Sequence, residues 1–88
     1  MSAARVPARV LAEEEAVAWV QALLADGRPR TTRDIDEAAR SQGLSCPDGT
    51  PRFLARLQRR GLVEGRLDVA RRAWLWWLPA AAGREGAA

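Results

Sequence analysis

Residues 50–78, TPRFLARLQRRGLVEGRLDVARRAWLWWL, contain the change of hydrophobic period on which the fold turns. Up to Arg60 the apolar residues Phe53, Leu54 and Leu57 recur at helical spacing, and Gly61 ends the run. Thr50 is placed to cap this helix, with Pro51 at its first helical position. Beyond Gly61 the spacing shortens to two. LVEGRL and AWLWWL each read as a short strand, joined by DVARR, which predicts a hairpin.

Upstream, LAEEEAVAWVQALLADG predicts a first helix. Ala16, Val17, Val20, Leu23 and Leu24 form its stripe, Val10 and Leu11 lie just before it, and Gly27 stops it. Trp19 lies beside the stripe, where it either widens the core face or meets a second subunit. After the break at RPR, TTRDIDEAARSQG predicts a second helix, opened by a capping box from Thr31 to Asp34 and stopped by Gly43. The acids Asp34, Asp36 and Glu37 suit the positive end of that helix and need no metal to explain them. LSCPDGTP is a turn-rich connector.

These elements make one domain, mainly α with a small β-hairpin: three helices followed by two strands, over residues 10–79. Residues 1–9 are expected to be a flexible leader and residues 80–88 a disordered tail.

All fourteen basic residues are arginine, and there is no lysine, histidine or tyrosine. Charge is unevenly spread. Residues 13–27 hold four acids and no base, whereas residues 41–79 hold seven arginines against three acids. Such polarity is the electrostatic footprint of a nucleic-acid binder. On the third helix Arg52 and Arg56 are four apart and share a face, so base readout falls to them, with Thr50 able to bond a phosphate or a base. Arg59 and Arg60, at the helix end, suit phosphates. Cys46 is the single cysteine, so neither an internal disulfide nor a cysteine metal cluster is expected. Without the usual bases and nucleophiles, no catalytic residue or cofactor is assigned and an enzyme is the weakest reading. The start, MSAARVPARV, lacks the apolar core of a signal peptide, and the longest apolar run is ten residues with a proline inside. A cytoplasmic protein, with no membrane partner, is therefore expected.

The segments TTRDIDEAARSQGLS and TPRFLARLQRRGLVEGRLDVARRAWLWWL resemble the winged helix-turn-helix domain of bacterial and archaeal transcription regulators. The resemblance rests on Leu54, Leu57, Gly61, Leu62 and Val63 at the close of the third helix and on a second strand that follows Arg71 and Arg72. It implies a homodimeric regulator bound to double-stranded DNA, with the third helix in the major groove. Arg66, Arg71 and Arg72 would then lie on the wing, against backbone or minor groove, and Arg33 would add a backbone contact. The dimer would form through the first helix, the tryptophan-rich strand, or both. The sequence departs from the family in a connector, Gly43 to Thr50, longer than a tight helix-turn-helix allows, and in the tryptophan content of the last strand. Two other uses compete: a protein-interaction module serving as an accessory subunit, and single-strand binding by stacking on Trp74, Trp76 or Trp77.

Overall fold

The computed structural model describes residues 8–80. Nearly all of the expected leader and tail lies outside them. The chain runs β1 (Arg9–Val10), α1 (Glu13–Leu23), one turn of 3-10 helix (Leu24–Asp26), β2 (Arg30–Thr31), α2 (Thr32–Ser41), β3 (Leu44–Ser45), α3 (Thr50–Arg59), β4 (Glu64–Asp68) and β5 (Ala73–Trp77). It is a small α+β domain of three helices and a three-stranded antiparallel sheet ordered β2–β5–β4.

The expected hairpin is present, in the register Gly65↔Trp76 and Arg66↔Leu75. Two further pairings were not legible in the sequence. The RPR break supplies β2, whose Arg30 and Thr31 pair with Trp76 and Leu75. Arg9, assigned to the flexible leader, instead belongs to β1, which lies parallel to β3. The Arg9 N–H donates to the Gly43 carbonyl at 2.8 Å and the Leu11 N–H to that of Ser45 at 3.0 Å. Two-residue strands carry no periodic signal, so only their partners reveal them. The β1–β3 pair also accounts for the long connector: its first part is strand, and Cys46 is buried beyond it.

The helix ends follow the local chemistry with one correction. α2 begins in the capping box read from the sequence, with the Asp34 N–H donating to Thr31 Oγ1 at 2.9 Å and the Thr31 N–H to Asp34 Oδ2 at 3.0 Å. For α3, however, the cap position falls on Gly49, and Thr50 is already helical. Its side chain turns inward, so it cannot cap. α3 closes in a Schellman motif: the Gly61 N–H donates to the Gln58 carbonyl and the Leu62 N–H to that of Leu57. Gly61, at φ 75°, supplies the left-handed residue this closure requires.

The core collects Leu11, Ala16, Val17, Val20 and Leu24 with Ile35, Phe53, Leu54, Leu57 and Val63, and Trp76 closes it from the sheet. Burying that apolar area is the main force holding the helices on the hairpin. Among the described residues no helix is long and apolar enough to cross a membrane.

Trp76 lies over Gly65, its cross-strand partner. A Cβ at Gly65 would collide with the six-membered ring of the Trp76 indole. We expect Gly65→Ala to force the ring off its seat and to cost about 1–3 kcal/mol, the usual range for overpacking. Urea denaturation of the variant checks this, and unchanged stability would mean that the ring has room to move.

Candidate functional site

The arginines divide according to whether a carboxylate already holds them. Arg56 is half-buried and bridges two elements: its Nη2 is 2.8 Å from Glu13 on α1, and its Nη1 is 3.0 Å from Asp48 in the connector. Its guanidinium also lies 5.5 Å from the centroid of the Phe53 ring. Arg60 pairs with Glu14 at 3.1 Å and stands 3.7 Å from Glu13. Arg56 and Arg60 thus turn sideways towards the acidic start of α1, away from the outermost line of α3. Arg56, expected from its helical position to read bases, is held instead by Glu13, a partner 43 residues away that helix periodicity cannot show. Asp48 takes part from a left-handed conformation, φ 62°, which its short polar side chain tolerates.

Thr50 is also withdrawn from the surface. It is buried, and its Oγ1 donates to Asp36 Oδ1 at 2.6 Å, tying the start of α3 to α2. Asp36 in turn holds Arg40 at 2.9 Å, Glu37 holds Arg33 at 3.0 Å, and Asp34 caps α2, so all three acids of that turn are engaged.

Arg52 and Arg59 are exposed and, among the described residues, form no ion pair. With Ala55 they follow the i, i+3, i+7 line opposite Phe53, Leu54 and Leu57, and so form the outer face of α3. Arg71 and Arg72 sit at the turn of the hairpin. Arg71 has a loose pairing with Asp68 at 3.7 Å, whereas Arg72 has no carboxylate partner among the described residues. Arg66 stands apart. It is opposite Leu75 in the sheet, so it projects from the face turned away from Trp76 and α3. The candidate surface is therefore Arg52 and Arg59 on α3 with Arg71 and Arg72 on the hairpin, flanked by Arg33 and Arg40 of α2, which are exposed although paired with Glu37 and Asp36.

The space between these elements is a groove of about 940 Å³ lined by Arg33, Arg40, Pro51, Arg71, Arg72 and Trp74, among others. A smaller cavity of about 260 Å³ continues it between Ala55 and Gln58 of α3 and the rings of Trp74 and Trp76. Trp76 is buried and its indole N–H donates to Thr32 Oγ1 at 2.8 Å. Trp77 projects from the other face and donates to Glu64 at 3.0 Å. Trp19 packs on the core and donates to Gln42 at 3.2 Å. Cys46 is buried, which raises its thiol pKa and makes it a poor nucleophile.

No family model matches the chain, and neither the curated proteins nor the solved structures give a significant match to it.

The carboxylates that brace the molecule have a pH consequence. The hydrogen bond from Arg56 holds Glu13 below the ordinary carboxylate range, and that from Arg9 does the same for Glu15. The Arg28 backbone N–H lowers Asp26 in the same way. A carboxyl whose folded pKa is depressed contributes stability above its unfolded pKa and loses it as pH falls through the folded value. The melting temperature should therefore hold steady above about pH 5, where unfolded carboxyls are already ionised, and drop below about pH 4. Glu13→Gln should lower it at neutral pH and flatten the acid limb, as read by circular dichroism melts across that range. An acid limb as steep in Glu13→Gln as in the wild type would remove Glu13 from the account.

Proposed function

We propose that this chain is a winged-helix domain that binds double-stranded DNA, with α3 in the major groove and the β4–β5 hairpin as the wing. The element order supports the fold: helix, short strand, two helices, then a hairpin whose second strand pairs back onto the short one. The observation that carries the function is the pair Arg52 and Arg59 on the outer line of α3, with small Ala55 between them. Seven residues of helix separate them by about 10 Å along the axis. That is about three base-pair steps at 3.4 Å each. Arginine donates bidentately to guanine O6 and N7 or to phosphate.

The turn of the hairpin supports the wing's part in this. Arg72 occupies the left-handed region, φ 54°, where glycine or asparagine is the ordinary choice. A long cationic side chain kept in a costly backbone conformation suits a contact made by that side chain. In this reading Arg56 and Arg60 act as braces that set the angle of α3 against α1. Arg33 and Arg40 flank the site as phosphate contacts. The protein works as a cytoplasmic regulator in two copies, paired through α1 or through the sheet face that carries Leu75 and Trp77, on a two-fold site.

A second reading, a protein-interaction module, has one observation in its favour. Leu67, Val69 and Trp74 are 51%, 76% and 43% exposed at the far end of the hairpin. A duplex titration separates the two, since failure to bind any duplex at about 50 mM salt, where counterion release favours binding, overturns the DNA reading.

Within the DNA reading, Arg52→Ala or Arg59→Ala should each weaken a bound site by about 1–3 kcal/mol if the contact is bidentate. Removing an arginine that neutralises one phosphate should make the log–log salt slope shallower by about 0.9. Arg56→Ala should leave that slope unchanged and lower the melting temperature instead. Arg72→Gly should weaken all duplexes alike while raising stability, because it relieves the left-handed arginine. Anisotropy titrations at two salt concentrations, beside melting curves, read all four. Equal changes of slope in Arg52→Ala and Arg56→Ala would overturn the division into readers and braces.

A further inference from the structure

We propose that the groove between α2, the start of α3 and the hairpin binds an unpaired nucleotide adjoining the duplex, its base stacked on Trp74 and its phosphate held by Arg71 and Arg72. The hairpin's tryptophans have separate fates. Trp76 is buried and bonded to Thr32, and Trp77 lies on the far face bonded to Glu64. Trp74 remains, 43% exposed, with its ring centroid 5.5 Å from that of Trp76 and an interplanar angle of 22°. One face of Trp74 is thus covered by a buried indole that cannot swing away. The ring is a fixed platform, ready to extend the stack by one more planar group.

The surroundings select the chemistry of that group. Trp74 lines both cavities, and Thr32 and Pro51 are common to the two, so the apolar slot adjoins the larger groove. Four arginines line the latter, and the one acid there among the described residues, Asp36, is already bound by Arg40 and Thr50. Arg33 and Arg40 have only surface i, i+4 partners, which hold them weakly. A planar ring on an anionic chain satisfies both halves of the site. Base-paired DNA does not offer this, because its rings are covered by their neighbours, whereas an unpaired nucleotide presents ring and phosphate together. The inference rests on the DNA reading for the adjoining duplex and shares Arg33, Arg40, Arg71 and Arg72 with it. It does not depend on α3 entering a groove.

Three fluorescein-labelled probes test it by anisotropy: a blunt duplex, the same duplex with a few unpaired thymidines, and the same extension with abasic sugars. The thymidine extension should tighten binding about tenfold, in the range of one stacked base, and quench tryptophan emission. The abasic extension should give no gain. Trp74→Leu should lose the gain and keep blunt-duplex affinity, and Trp74→Phe should restore most of it. No gain from thymidine, an equal gain from abasic sugars, or a gain retained in Trp74→Leu would each overturn the proposal. Should Trp74→Leu fail to fold, the abasic arm and Trp74→Phe still decide. A free thymidine strand bound through Trp74 with no affinity for the blunt duplex would sink the duplex reading and the adjoining duplex with it, and leave only the stacking site. Blunt-duplex binding with no gain would do the reverse.

Discussion

The seating of Trp76 on Gly65 holds the two halves of the molecule in register. The indole touches β4 through the glycine, reaches the start of α2 through Thr32, and closes the core over the leucines of α3. Its strand pairs with both β2 and β4, so the helical layer and the hairpin share one element. Any side chain at residue 65 would lift that ring. The angle between α3 and the hairpin follows from this contact, and with it the width of the groove that lies between them.

A second constraint sorts the charge. Three glutamates open α1, where the helix dipole favours acids, and that same helix end faces the flank of α3. The acids thereby neutralise Arg56 and Arg60 and leave Arg52 and Arg59 with full charge. One helix thus carries two kinds of arginine that differ only in azimuth. The paired kind fixes orientation, and the unpaired kind faces outward.

Much of the fold was legible because it rests on local chemistry. The three helices, the capping box at Thr31, the glycine closure after Arg60 and the hairpin all follow from spacing and turn residues within about a dozen positions. What escaped was non-local. β1 and β2 are two residues long and exist only through β3 and β5. The Glu13 partner of Arg56 is equally remote, so the sequence grouped Arg56 with Arg52 as a base reader. Thr50 misled for a different reason: threonine before proline suits a cap, but the hydrogen bond to Asp36 of α2 drew it into the core side of the helix. Strand alternation puts Trp74 and Trp76 on one face of AWLWW and Trp77 on the other. It could not tell that Trp76 would be sealed while Trp74, on the same face, stays open.

The strand that receives β2 is the last element of the described fold. β2 is therefore separated from its partner by two helices and the first arm of the hairpin, and the sheet is complete only with residues 73–77 in place. Contacts of such long sequence separation are costly to close and slow to form. The tryptophan strand is thus a latch: it ties Arg30 to Trp76 across the sheet, and the arginine groove keeps its hairpin wall only while that latch is shut.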